Sequence, residues 1–302
     1  MNNSLINRVE TAKMNALVMR KYAVKGQEDE VERIIFEKEF EYIITEDLMK
    51  RNPDELLDTY TEYFAQKKLP IKSIGNGEKF YRGRIGYTTI SGSIDDLSKE
   101  FILPYNGDEI KAPPPIHAIG GRFNRQGTSY LYLADDIETC LAEVHLQIGQ
   151  ACSIAEFICL DNIELIDLTN FEDDNEMQVW LKILTQPIHS DINYKYNETR
   201  FLADVFKTIN RIGIYFDSVQ ANGHNIVCFN PLLFGLVQFS EKIYTARKIK
   251  YDIEELNDSI KEFSKNGKQN PINSYNHERE NEIDEKFDYL DKWIEYKKNS
   301  KE

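Results

Sequence analysis

The chain has 302 residues, 41% of them hydrophobic, and carries 51 acidic against 37 basic side chains for a formal net charge of -14. That length supports one full domain with a good core plus smaller appendages, and the charge density excludes a membrane-embedded protein. Net acidity also argues against a general nucleic-acid binder, whose affinity comes from neutralising phosphates.

No window is apolar enough to span a bilayer, and the N-terminus lacks the basic-then-apolar pattern of a secretory signal, so a cytoplasmic location is expected. Cys140, Cys152, Cys159 and Cys228 have no zinc-like pair spacing and sit inside apolar segments. They read as reduced, packed thiols. The histidines are scattered without a metal motif, and no metal is expected.

Residues 1–72 read as a helical region. Val31, Ile34, Ile35, Ile43 and Ile44 recur among Glu and Lys, and Asn52-Pro53 offers an N-cap followed by proline at the first helical position. Leu56, Leu57, Tyr60 and Phe64 form the stripe of the helix that follows. Ile71 to Lys79, with Gly75 and Gly77, reads as a linker or turn into a domain spanning 73–240. Phe80 to Ile85 is strand-like, and the polar stretch from Ser91 to Gly107 is expected to be a loop with a short helical turn.

The central stretch, Ala112 to Gln150, is the densest in signals. Pro113, Pro114 and Pro115 stiffen its start, and Gly120-Gly121 permits a turn whose amides can approach a ligand. Ser129 to Ala134 alternates Tyr130 and Tyr132 against Leu131 and Leu133, the period of a half-buried strand. Asp135 with Glu138 makes a capping box for a helix with the stripe Ile137, Cys140, Leu141, Val144 and Ile148. Glu143 falls about 60° beyond Cys140 on that wheel, where a carboxylate can lean into a cleft.

Further on, Ser153 to Leu160 and Ile163 to Leu168 are strand-like. Asn197 caps a helix with the stripe Leu202, Val205, Phe206 and Ile209, closed by Gly213. Ile214 to Phe216, Asn225 to Phe229 and Leu236 to Phe239 read as strands around a turn at Ser218. From about Glu241 the sequence turns charged and helical, and residues 241–302 form a C-terminal appendage with a low-hydrophobicity middle.

One local feature stands against the acidic background. Lys79 to Ile94 and Lys111 to Ala134 contain no acidic residue, yet hold Arg82, Arg84, Arg122 and Arg125. Guanidinium groups beside glycine turns suit phosphate or pyrophosphate.

The order FYRGR, PPP, GGRFNRQG, LYLADDIETCLAEV, IDLT at Ile166 to Thr169, YNETRFLADV and DSVQANGHNIVCF resembles the RES domain. That family is named for an Arg, a Glu and a Ser, and supplies the toxin half of bacterial toxin-antitoxin pairs with a helix-turn-helix (Xre-type) antitoxin. The resemblance runs from about Phe80 to Phe229. It implies a compact α+β fold similar to ADP-ribosyltransferase toxins, and an activity that consumes NAD as substrate by cleaving the nicotinamide-ribose bond. The named residues fall on Arg82, Glu143 and Ser218. Arg122, Asn124 and Tyr132 match the turn and strand that follow, and Arg84 and Asn225 join them as expected NAD contacts.

The residue types fit that chemistry. N-glycosidic cleavage builds oxocarbenium-like charge on the ribose, which a carboxylate such as Glu143 stabilises. Arg82 and Arg122 would hold the pyrophosphate, and Ser218 a ribose hydroxyl or the attacking acceptor. Ser218 is not expected to be a nucleophile, because no histidine-carboxylate pair accompanies it. Tyr132 and Tyr130 are candidates to stack on nicotinamide. Water, phosphate and a protein side chain all stay open as acceptors, so a protein ADP-ribosyltransferase is the rival enzyme; a non-catalytic scaffold is the rival of another class. An enzyme that depletes its host's NAD needs restraint, so an inhibitory antitoxin is the expected partner, with homo-oligomerisation open.

Overall fold

The computed structural model describes residues 5–50, 53–94, 97–169, 180, 184–185 and 196–249. The expected C-terminal appendage beyond residue 249 lies outside the described residues.

Three helices open the chain: α1 (Leu5–Arg20), α2 (Glu28–Lys50) and α3 (Pro53–Ala65). In α1 the buried residues Leu5, Val9, Ala12 and Ala16 recur at helical spacing, and the two alanines let α2 approach closely. Phe36, Phe40, Ile43 and Ile44 line the inner face of α2, while Ile34 lies on its outside. Asp47, buried on that inner face, pairs with Arg8 and accepts the Tyr60 hydroxyl at 3.0 Å. A buried carboxylate is tolerated when paired in this way.

The core of the molecule is a nine-stranded sheet. Its strands are β1 (Ile71–Ile74), β2 (Lys79–Ile85), β5 (Leu131–Ala134), β6 (Ala151–Cys159), β7 (Ile163–Asp167), β8 (Gly213–Asp217), β9 (His224–Cys228), β10 (Phe234–Leu236) and β11 (Lys242–Thr245). They run in the order β1-β7-β8-β9-β5-β2-β6-β10, with β11 also on β6. Among the described strands only β7 and β8 pair in parallel, joined by a crossover that contains α5 (Tyr196–Thr208). The helix α4 (Ile137–Glu143) follows β5 directly. The architecture is mixed α+β.

One face of the sheet carries Ile166, Ile214, Phe216 and Val227 and is covered by α5 and the N-terminal helices. Trp180 sits at the meeting point, its ring 4.4 Å from Phe40, 5.0 Å from Phe64 and 5.9 Å from Tyr60. The first three helices thus share one core with the sheet. The opposite face packs Phe80, Leu131, Leu133, Phe157 and Phe234 around Ile110. The alternation in β5 therefore divides two buried faces rather than one buried and one wet, with Tyr130 and Tyr132 on the helical side.

Several expectations are corrected. Ile71 to Ile74, read as linker, is the edge strand β1, paired with β7 at Ile71↔Ile166. Ser91 to Gly107, read as loop, contributes to a separate hairpin of β3 (Thr88–Ile94) and β4 (Leu97–Leu103) before a 3-10 turn at Gly107–Glu109. Its serines and threonines hid the alternation. The last strand of the 214–239 segment is Phe234–Leu236 rather than Leu236–Phe239, and Phe239 has a left-handed φ of 61°. Lys242 to Thr245, expected to begin the helical tail, closes the sheet edge as β11.

Helix α4 is capped by Asp136, not Asp135, and ends at Glu143 rather than running to Ile148. Helix α5 is stopped by Asn210 at φ 60°, not by Gly213. There Asn210 N–H donates to the Lys207 carbonyl and Arg211 N–H to that of Phe206, the paired bonds of a Schellman turn with Asn at its left-handed position. Gly213 serves β8 instead, where a Cβ would collide with the Val227 carbonyl of β9.

Candidate active site

Glu143 is the last residue of α4, where outward-pointing carbonyls disfavour a carboxylate. The local sequence fixes it there. At the start of the helix the Asp136 side chain accepts from Thr139 N–H at 2.8 Å and from the Thr139 hydroxyl at 2.7 Å. Burial works to raise the Asp136 carboxyl, but these hydrogen bonds outweigh it and hold the group below the usual carboxylate range. Past Glu143 the chain leaves helical geometry at Val144, and His145 turns it away with φ 52°.

Two donors converge on one oxygen of this carboxylate. Ser218 Oγ donates to Glu143 Oε1 at 2.6 Å and Asn225 Nδ2 donates to the same oxygen at 2.7 Å. Glu143 Oε2 has no hydrogen-bond partner among the described residues. Ser218 opens the 218–223 turn between β8 and β9, and its Oγ accepts N–H groups from Gln220 and Ala221, each at 3.1 Å. With its proton given to Glu143 and both lone pairs engaged, the hydroxyl is an oriented donor and not a nucleophile.

The turn is held against the start of α4. Asp135 Oδ1 accepts His224 N–H at 2.9 Å, Asp135 Oδ2 lies 2.7 Å from His224 Nδ1, and Asp217 Oδ1 lies 3.4 Å from His224 Nε2. The imidazole stacks on Tyr215 with ring centroids 5.0 Å apart. Gly223 fits where no side chain could, since a Cβ there would meet Thr139 Oγ1 and the carboxylates of Asp136 and Asp135.

On the neighbouring wall, the glycine turn presents Arg122. Its Nη1 donates to the Leu184 carbonyl at 3.1 Å, and its guanidinium lies 5.8 Å from the Tyr196 ring centroid. Burial lowers its proton affinity, while the charges of Tyr196 and Glu143 act in the opposite sense, so the carboxylate and this cation are within electrostatic reach. Asn124 shapes the same turn. Its Nδ2 donates to the carbonyls of Ile119, Arg125 and Thr128, and its Oδ1 accepts the Tyr132 hydroxyl at 2.8 Å. Tyr132 also accepts Phe123 N–H at 3.1 Å, and burial raises its phenol well above the ordinary value. Tyr130 is buried in the core with its ring 4.8 Å from that of Phe229.

Arg82 occupies the place where β2 and β5 part after the single pair Tyr81↔Ala134. Its Nε donates to the Ile110 carbonyl at 2.8 Å and its Nη1 to the Tyr132 carbonyl at 3.1 Å. Burial pushes its pKa down to about 10. Arg84, exposed, lies 4.7 Å from the Tyr105 ring and donates to the Glu109 carbonyl at 2.5 Å. Arg125 is neutralised by Asp204 at 2.8 Å.

Glu143, Ser218 and Asn225 are thus in direct contact, whereas Arg82, Arg84, Asn124 and Tyr132 bond to other protein groups. Sequence reasoning passed over Asp135 as a ligand of His224, and over Tyr196 and Arg200. The i, i+4 spacing of those last two on α5 was the available signal.

The RES domain model matches residues 104–249. No curated protein matches the chain. Among solved structures, the chain is similar to one in the crystal structure of the M. tuberculosis MbcT-MbcA toxin-antitoxin complex. That similarity has 16% identity over 57% of this chain and 87% of that one, at a TM-score of 0.36.

Proposed function

Since this chain belongs, through residues 104–249, to the RES-domain family, we propose that it is an NAD-degrading toxin cleaving the nicotinamide-ribose bond. The observation that carries this reading is the Glu143 carboxylate, with Oε1 pinned by Ser218 and Asn225 and Oε2 left unclaimed among the described residues. The catalytic unit is residues 73–240, with NAD as a substrate rather than a resident cofactor.

In the reaction, the bond between ribose C1′ and the pyridinium nitrogen breaks and its electron pair neutralises the nicotinamide. Positive charge grows on the ribose as the bond lengthens, and the fixed carboxylate of Glu143 stabilises it without reorganising. In hydrolysis, a water oxygen then bonds to C1′ and its proton passes to Glu143 Oε2. In phosphorolysis a phosphate oxygen takes the place of water and no proton need be removed. Ser218 and Asn225 hold the carboxylate in one rotamer, so the ordering cost is met before substrate arrives. Arg122 supplies positive charge for the substrate's phosphates. Arg82 ties β2 to the Ile110 carbonyl of the loop before the proline run and to the Tyr132 carbonyl of β5, and so fixes these segments relative to one another.

A toxin of this kind works beside an antitoxin of the Xre type that blocks the cleft, in the cytoplasm of a bacterium. Among the described residues no helix is long and apolar enough to cross a membrane. The test is product analysis. The purified chain is incubated with NAD, with and without inorganic phosphate, and nicotinamide and the ribosyl product are separated by chromatography. ADP-ribose in both conditions identifies the hydrolase, ADP-ribose 1″-phosphate formed only with phosphate identifies the phosphorylase, and absence of free nicotinamide in both overturns the reading.

A further inference from the structure

Beyond Arg122, the cationic wall of the cleft continues in a residue of α5. Arg200 Nε donates to the Gly121 carbonyl at 2.7 Å, which leaves the guanidinium lying along the glycine turn. Its Nη2 would sit 3.2 Å from a Cβ on Gly120. The guanidinium is also 5.4 Å from the centroid of the Tyr196 ring, the ring that Arg122 approaches at 5.8 Å. Two arginines from different parts of the chain are therefore gathered on one aromatic side chain. Among the described residues Arg200 is in no ion pair with a carboxylate, although the chain carries an excess of acidic groups.

Burial lowers the proton affinity of both arginines, and the like charge of Arg125 acts on Arg200 in the same direction. The neighbouring Arg125 has its own carboxylate in Asp204, so Arg200 is the guanidinium of this group whose Nη atoms are left to a ligand. Glycine at 120 gives that guanidinium room, and its backbone conformation is one that alanine also adopts. Arg122 and Arg200 thus approach the Tyr196 ring, the first from the glycine turn and the second from the helix that carries Tyr196.

We propose that Arg200, stacked on Tyr196 and tethered to Gly121, is a phosphate-binding residue that selects substrates bearing a nucleoside diphosphate over their unphosphorylated nucleosides. The inference deepens the NAD-cleaving reading and rests on it for the identity of the substrate. The binding claim stands on its own.

The experiment measures calorimetric binding of ADP and of adenosine to the full chain, to Arg200→Gln and to Gly120→Ala, with steady-state NAD cleavage alongside. Gly120→Ala leaves every hydrogen bond of Arg200 available and only crowds the tip of a flexible side chain, so it reports on the site even where Arg200→Gln impairs folding. Loss of a charge-assisted hydrogen bond corresponds to about tenfold or more in affinity. Arg200→Gln is expected to weaken ADP by about that factor, and Gly120→Ala by about threefold through displacement of the guanidinium tip, while adenosine moves less than about twofold; both are expected to raise the KM for NAD with kcat held within about threefold. Equal weakening of ADP and adenosine, or unchanged ADP binding in both variants, overturns the proposal. ADP binding that depends on Arg200 in a chain that releases no nicotinamide would sink the NAD-cleaving reading and leave the phosphate site standing. Cleavage with an unchanged KM in both variants would do the reverse.

Discussion

Gly223→Ala isolates the contact on which the carboxylate geometry depends. Gly223 lies on the turn that carries Ser218, and a Cβ there would meet Thr139 Oγ1, Asp136 Oδ2 and, at 2.6 Å, Asp135 Oδ1. Its backbone is not left-handed, so alanine introduces no conformational strain and the effect is purely steric. The added methyl must either push the turn off α4 or displace the Asp136 cap. Overpacking costs about 1–3 kcal/mol and loss of the cap about 1 kcal/mol, so either route gives a destabilisation of about 1–3 kcal/mol. At about 2–4 °C per kcal/mol for a chain of this size, thermal unfolding should move down by roughly 2–12 °C. The same shift lengthens the bond from Ser218 to Glu143, so nicotinamide release should fall more than stability at the assay temperature explains. A melting point within about 1 °C of the parent, with unchanged activity, would refute the docking of this turn on α4 as the source of the geometry.

Trp180→Ala should cost about 3–5 kcal/mol in urea unfolding, because the indole joins the N-terminal helices to the sheet core; a cost under about 1 kcal/mol would contradict that shared core. Burial pushes Cys140 and Cys228 up to about 12 and Cys152 up to about 11, so native protein at pH 8 should react with thiol reagents far more slowly than unfolded protein. The folded state holds these thiol protons more tightly than the unfolded chain, so stability should decline as pH rises from about 9 toward 12; a rise across that window would refute the burial. Asn225→Ala, which removes one of two donors to Glu143 Oε1, should lower kcat by about 10–100-fold with little change in KM. A change confined to KM would place Asn225 in binding alone.

Much of the sheet was legible because its strands are short runs of β-branched and aromatic residues bounded by turns: β2, β6, β7, β8 and β9 fall within a residue or two of their expected places. The misses have physical causes. An apolar stripe continuing to Ile148 made α4 look longer than it is, whereas Ile148 is exposed and forms an isolated bridge to Ala246. Asp135 and Asp136 are equally good caps by type, and only the tertiary pairing of Asp135 with His224 decides between them. The strands β1 and β11 are edge pieces of four residues each, too short to show a period, and exist because β7 and β6 offer partners. In the site, Glu143 and Ser218 stood out by motif, and the structure adds that Asn225 reaches the same carboxylate oxygen. Arg200 was passed over because the turn it meets, Gly120-Gly121, lies nearly eighty residues away along the chain, and its i, i+4 spacing to Tyr196 was the one local signal.

The most direct test of Glu143 as the reacting carboxylate is the rate of nicotinamide release by Glu143→Gln beside the parent, with matched thermal unfolding as the check on folding. Gln keeps an oxygen for Ser218 and Asn225 but removes the negative charge that stabilises the ribose cation. A kcat reduced by about 100-fold or more, with KM nearly unchanged and the fold intact, is the expected result. A variant that folds normally and releases nicotinamide within about threefold of the parent would contradict the account.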